Sequence, residues 1–264
     1  MKKSMQTFDC FKHDLTGILG GNLFEIIIHG SYVLDDFRPN LGDLDYMVVT
    51  NENLDEAMNT RLFELHDQYR SERMLLLHQL EGTFYPKHFL RELSLPFTGC
   101  YIGTSQTGWR TITSFQNSFM DLRLINEHGM YLLGKNPKIY NPVDSQILKE
   151  QISGLDAFVT SAATAKSRGI GLWMVIVHWC SRTIFYHSTG RIGSKTEACR
   201  WCAERPELEP FRGLFKNAES RRYPFGEEVL SISTRTACIA LLKFTKKFLL
   251  SFVKQFSSIG IHKG

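Results

Sequence analysis

Ile28-His29-Gly30-Ser31, eleven further residues, and then Asp43-Leu44-Asp45-Tyr46 form the stretch on which the reading of this chain turns. Leu23 to His29 is a short apolar run rich in isoleucine, which predicts a buried strand. Gly30-Ser31 marks its end and the start of a turn or short helix. Arg38-Pro39-Asn40-Leu41-Gly42 carries turn chemistry, and Asp43 to Thr50 predicts a second strand. Residues two apart on a strand share a face, so Asp43 and Asp45 project together while Leu44 faces the core. Two carboxylates about 4 Å apart repel by ~4 kcal/mol at an effective dielectric of about 20. Folding alone does not favour that arrangement. A divalent cation removes the conflict, and hard oxygen ligands point to magnesium or manganese. Glycine lets the backbone come close to a phosphate. Amides at a helix start bind phosphate, and Ser31 adds a hydroxyl donor. The stretch therefore reads as a triphosphate held by Gly30 and Ser31, with its magnesium held by Asp43 and Asp45. Gly-Ser after a strand and Asp-x-Asp at a strand start are each commonplace. It is their order, with the apolar pair Met47-Val48 next in the chain, that favours the functional reading.

Outward from that stretch, Ser4 to Leu19 reads as a helix ended by Gly20-Gly21. Leu54 to Tyr69 has apolar positions at helical spacing, and Met74 to Thr83 is a third strand candidate. Phe119 to Leu133 reads as a helix, and Gly134 to Val143, with Pro137 and Pro142, as a linker. From Gln146 onward no convincing strand pattern occurs. Four or five helices are expected, with breaks near Gly169-Ile170-Gly171, Gly190 to Gly193, Pro206 to Pro210 and Pro224 to Gly226. The expected fold class is α+β. A first domain, 1–144, has a small mixed sheet flanked by helices, and a second, 145–264, is an all-α bundle.

The net charge of +4 is too mild to argue for a nucleic-acid or membrane surface. It suits a cleft that must tolerate a polyanion. The six cysteines (Cys10, Cys100, Cys180, Cys199, Cys202, Cys238) lie in apolar context and read as reduced thiols of a cytoplasmic protein. Cys199 and Cys202 form one CxxC, without the second ligand pair that a zinc site needs. Met1-Lys2-Lys3 is basic like the start of a signal peptide, but Gln6, Asp9 and Lys12 keep the next residues from forming an apolar run. Val229 to Phe256 is apolar yet broken by Arg235, Lys243, Lys246, Lys247 and Lys254. It is expected to be an amphipathic helix rather than a membrane span.

The pattern of apolar residue, Gly-Ser, spacer and Asp-apolar-Asp-apolar resembles the signature of the polymerase-β-like nucleotidyltransferase superfamily. His29 stands where an apolar residue is usual before the glycine. The resemblance implies a third acid on a later strand, which Glu81 supplies in Leu80-Glu81-Gly82-Thr83. Its implied role is the general base that takes the proton of an attacking hydroxyl. The segment from Ser181 through Thr189-Gly190-Arg191-Ile192 to Lys195, Trp201 and Glu204-Arg205 resembles the helical domain of the streptomycin/spectinomycin adenylyltransferases. Phe119 to Pro142 is similar to their inter-domain stretch. The likeness is patchy but touches both halves.

It implies a magnesium-dependent enzyme that transfers AMP from ATP to a small hydroxylated acceptor, of the aminoglycoside or aminocyclitol class, in a cleft between the domains. By the same resemblance Lys195 contacts ATP, and Trp109 and Glu197 contact the acceptor. Lys195, Arg205, Lys216 and Arg221 are candidates for gripping the phosphates. One departure bears on specificity. Thr196 and Arg200 occupy positions where those enzymes carry acids for a cationic drug, and Ser194-Lys195-Thr196-Glu197 has the form of a capping box. Two other readings share the motif: the same chemistry on a protein hydroxyl, and a nucleotide-binding sensor without catalysis. The sequence says nothing of oligomeric state.

Overall fold

A computed structural model describes residues 2–39, 41–72, 76–103, 108–134, 139–164, 170–220 and 232–258. The chain divides into two compact units, Met1–Pro142 and Val143–Gly264.

The first unit opens with helix α1 (Lys2–Leu19), stopped by Gly20 at φ +51°. Strands β1 (Leu23–Ile28) and β2 (Leu44–Thr50) come next. Helix α2 (Glu56–Ser71) is capped by Asp55, whose carboxylate accepts from the Met58 amide at 2.7 Å. After it stand β3 (Leu80–Pro86), the short helix α3 (Lys87–Arg91), β4 (Gly99–Ile102) and β5 (Trp109–Ile112). Helix α4 (Phe119–His128) starts on a capping box between Ser118 and Asp121, and β6 (Met130–Leu133) succeeds it. The strands form one sheet in the order β5-β4-β3-β2-β1-β6. The β2–β3 pair is parallel and the other pairs are antiparallel.

Alternation along each strand divides the core between the two faces of this sheet. Leu44, Tyr46 and Val48 of β2 pack with Phe11 of α1 and Leu62 of α2 on one face. Met47 and Val49 pack with Phe89 of α3 and Leu122 of α4 on the other. Gly82 is required on the first face. A Cβ there would fall 2.2 Å from the Tyr46 carbonyl oxygen and 2.7 Å from its ring.

Several boundaries shift by one or two residues from the sequence reading, β2 starting at Leu44 and so leaving Asp43 just ahead of it, and two differ by more. The third strand begins at Leu80, where the parallel ladder brings it alongside Leu44. Leu77–Gln79 before it is one turn of 3-10 helix, and 73–75 lie outside the described residues. The helix read from Phe119 to Leu133 ends at His128 instead. The Gly129 amide donates back to the Ile125 carbonyl at 2.9 Å. A Cβ at Gly129 would lie 2.5 Å from that same oxygen. The chain therefore turns at this glycine, and Met130–Leu133 pairs with β1 as an edge strand. Strands β4 and β5 and helix α3 were not anticipated.

The second unit contains α5 (Asp144–Thr164), α6 (Ile170–Thr189), α7 (Lys195–Ala203), α8 (Arg212–Ser220) and α9 (Ile232–Ser258). Among its described residues there is no strand. Its core joins Leu155, Ile176, Cys202, Phe215, Leu241 and Leu249 from five helices. Helix α6 ends at Gly190, φ +69°, whose amide donates to the Tyr186 carbonyl at 2.7 Å. The expected breaks at Gly169 and at Pro224–Gly226 lie outside the described residues, as do 229–231 of the expected last helix. Among the described residues no helix is long and apolar enough to cross a membrane.

Candidate active site

The end of β1 meets the starts of β2 and β3 at one end of the sheet. The His29 amide donates to the Asp45 carbonyl at 3.0 Å, carrying the ladder one residue past β1. Ile28 pairs with Tyr46, and Asp45 with Glu81. His29, Asp45 and Glu81 therefore stand in a row across three strands, on the face that carries Met47 and Val49. Gly30 comes next, at φ +69°. A Cβ on it would fall 1.9 Å from Asp45 Oδ2 and 2.7 Å from Asp45 Cγ. The Asp45 carboxylate thus rests directly against the Gly30 backbone, an approach that only glycine permits.

The segment after Gly30 is a turn rather than a short helix. The Asp36 amide donates to the Ser31 carbonyl at 2.9 Å, and Asp35 takes φ +52°. Asp43 is exposed, one residue ahead of β2. The Gly42 carbonyl beside it accepts from Gln79 Nε2 at 2.5 Å, which ties the Asp43 loop to the start of β3.

Glu81 is half-buried, and its Oε1 accepts from the Tyr101 hydroxyl at 2.6 Å. Tyr101 lies between Thr83 and Arg110 in the ladder. The Arg110 guanidinium sits over the Tyr101 ring at 4.2 Å. It also donates to Gln116 Oε1 at 2.8 Å. Thr83 Oγ1 and the Tyr85 hydroxyl donate to Asn117 Oδ1 at 3.1 and 3.0 Å, and the Gln116 amide donates to Tyr85 at 2.9 Å. These bonds hold the 116–117 loop against β3, and burial pushes the Tyr85 phenol up to about 12. The sequence reading missed Tyr101 and Arg110. Burial lowers the His29 pKa below 6.5, and the nearby Asp121 carboxylate opposes that shift. A neutral imidazole thus fills the position that an apolar residue would take.

Among the described residues no three His, Cys, Asp or Glu side chains converge as a metal cage. Magnesium does not require one. It is commonly held by one or two carboxylates, with substrate phosphates and water completing six positions. An exposed Asp43 and an Asp45 laid against a bare glycine backbone fit that donor set.

The remaining residues singled out from sequence are dispersed. Trp109 pairs with Ile102, and Ile102 with Gly82, which puts it on the face opposite Glu81. There it stacks on Phe63 of α2, with ring centroids 3.9 Å apart. On the Glu81 face β5 carries Arg110 and the core residue Ile112. Lys195 and Glu197 open α7 in the second unit. Ser194 Oγ accepts from the Glu197 amide at 3.1 Å. The Glu197 carboxylate bonds Arg191 Nη2 at 2.8 Å. Arg200 pairs with Glu219 at 2.9 Å. The Arg205 guanidinium covers the Trp201 ring at 4.2 Å and Lys216 is exposed, while Arg221 lies outside the described residues. Cys199 and Cys202 are fully buried in the helical core, with Cys199 Sγ 3.3 Å from Ser181 Oγ. That is a packing role for the CxxC.

In fold the chain resembles an aminoglycoside adenyltransferase of known structure. A crystal structure of the spectinomycin adenyltransferase AAD(9) from Enterococcus faecialis, with ATP and spectinomycin, matches it with a TM-score of 0.67. The match covers 93% of this chain and 98% of that one at 15% sequence identity, and what it establishes is the fold. No protein-family profile and no curated protein matches the sequence.

Proposed function

We propose that the chain transfers AMP from ATP to a hydroxyl of a small acceptor of the aminoglycoside or aminocyclitol class, with magnesium. The observation that carries this reading is the Asp45 carboxylate laid on Gly30, in register with Glu81 on the same face. The shared fold supports it, since the solved neighbour holds ATP and spectinomycin. Gly30 and Ser31 present their amides to the triphosphate, and Asp43 and Asp45 hold magnesium. Bound there, the metal neutralises charge on the α-phosphate and orients it for in-line attack. Glu81 takes the proton of the attacking hydroxyl. The acceptor oxygen bonds to the α-phosphorus, the α–β bridging bond breaks, and pyrophosphate leaves with the electron pair. Lys195 is assigned to the nucleotide and Glu197 to an acceptor ammonium, which would displace Arg191. Trp109 is left out of the acceptor site because it stacks on the opposite face.

The test is pyrophosphate release from magnesium-ATP with a panel of aminoglycosides and aminocyclitols. Release should require streptomycin or spectinomycin. Asp45→Ala should lose magnesium-dependent ATP binding while keeping or raising the unfolding midpoint, because a charge repulsion is removed. Glu81→Gln should keep ATP binding and lose roughly 100- to 10,000-fold in turnover. Loss of ATP binding in Glu81→Gln would overturn the base assignment. ATP binding with no release on any panel member would move the acceptor to uncharged or anionic hydroxyl compounds, or to a protein hydroxyl.

A further inference from the structure

Resting on that reading of Glu81, we propose that Tyr101 is a positioning residue for the transfer, supported by Arg110. A glutamate base works only if its oxygen is held within hydrogen-bond reach of the proton it takes. A free glutamate side chain samples many rotamers, and misplacement by about 1 Å costs on the order of 100-fold in rate. The Tyr101 hydroxyl meets Glu81 Oε1 at 2.6 Å, within the short range of charge-assisted bonds. Tyr101 is fixed in its turn. It belongs to β4, and the Arg110 guanidinium closes over its ring at 4.2 Å. Gln116 anchors Arg110 at 2.8 Å, and its own amide is tied to Tyr85 of β3, the strand that bears Glu81. The contacts form a closed circuit from β3 through β4 and β5 and back to β3.

In the reaction the Tyr101 proton stays on its phenol. It holds the carboxylate in one orientation while the acceptor proton moves to Glu81, the oxygen–phosphorus bond forms and pyrophosphate departs. Tyr101 itself touches neither the acceptor nor ATP.

The test uses the full chain as wild type, Tyr101→Phe, Glu81→Gln and the double variant. Pyrophosphate release from magnesium-ATP is measured with spectinomycin as acceptor probe and, at high protein concentration, with water alone. We expect Tyr101→Phe to lower kcat about 10- to 100-fold with KM for ATP unchanged. It should cause no further loss in the Glu81→Gln background, because a residue acting through another is non-additive with it. A wild-type kcat in Tyr101→Phe, or losses that multiply in the double variant, overturns the proposal while leaving Glu81 as base. A second measurement needs no turnover: the unfolding midpoints of the four proteins should be non-additive, and additive shifts overturn the contact itself. Wild-type turnover in Glu81→Gln, or no release by the wild type with water, the aminoglycoside panel or any uncharged, anionic or protein hydroxyl acceptor, overturns the base assignment and this proposal together.

Discussion

At position 30 the backbone has room for a hydrogen on the side of Asp45 and for nothing larger. Gly30→Ala would place a methyl group 1.9 Å from Asp45 Oδ2, on a backbone at φ +69°. The left-handed backbone alone costs about 1–2 kcal/mol. The methyl must also push the carboxylate off its seat. Gly20→Ala is a suitable control, since it meets a similar backbone strain at φ +51° with nothing within 4 Å. Both variants should unfold at a lower temperature. Only Gly30→Ala should weaken magnesium-ATP binding, by roughly tenfold or more, about 1.4 kcal/mol. Titration calorimetry decides between them, and equal affinities in the two would detach Asp45 from the nucleotide. Gly30 and Asp45 were legible in the sequence because strand alternation and a fixed spacing place them, and Glu81 only through the family resemblance, as the one acid in its strand candidate. Tyr101 and Arg110 were not. Their relation to Glu81 runs across strands, and no local pattern encodes it.

Among the elements, length decided what could be read. Helices α1 and α2 and strands β1 and β2 are long enough to show a period or a continuous apolar run. Strands β4, β5 and β6 have 4 residues each, too few for alternation to declare itself. The Met-Tyr-Leu-Leu of β6 also continues the apolar spacing of α4, so only Gly129 marks the change. The join of α2 to the sheet has a pH dependence of its own. His66 lies buried between the Leu62 carbonyl, which accepts from Nδ1 at 2.8 Å, and the Tyr46 hydroxyl, which donates to Nε2 at 2.9 Å. The Tyr46 bond, in which Nε2 accepts, needs a neutral ring; burial lowers the ring's pKa from 6.5 to about 4, and the Leu62 bond opposes that shift. The unfolded chain therefore binds the proton more readily than the folded one. The contribution is complete above pH 6.5 and is lost as pH falls through 4. Its size is ~3 kcal/mol. His187, held by Gln151 at 2.7 Å and likewise lowered to about 4, adds the same sign in the second unit. Urea midpoints should fall steeply across that window, and less steeply in His66→Phe. A flat profile in the wild type would remove the neutral-ring assignment.

Across the whole molecule, the change from mixed α/β to all-helical character was visible in the sequence because strand-like runs cease beyond the proline-bearing linker. What the sequence could not convey is how surface charges pair. Arg200 reads in isolation as a repulsive cation, yet it is paired with Glu219. Glu197 reads as a cap, yet its carboxylate is bonded to Arg191. Each partner is set by folding rather than by the local pattern. The second unit also holds Cys180, Cys199, Cys202 and Cys238, all fully buried. Burial pushes Cys180 and Cys238 up to about 12 and Cys202 higher still. Such thiols are silent toward alkylating reagents until the helices part. They therefore act as a clock inside the bundle: the rate at which iodoacetamide labels them reports how often that unit opens. Half-buried Cys10, on α1, supplies the fast reference on the other unit.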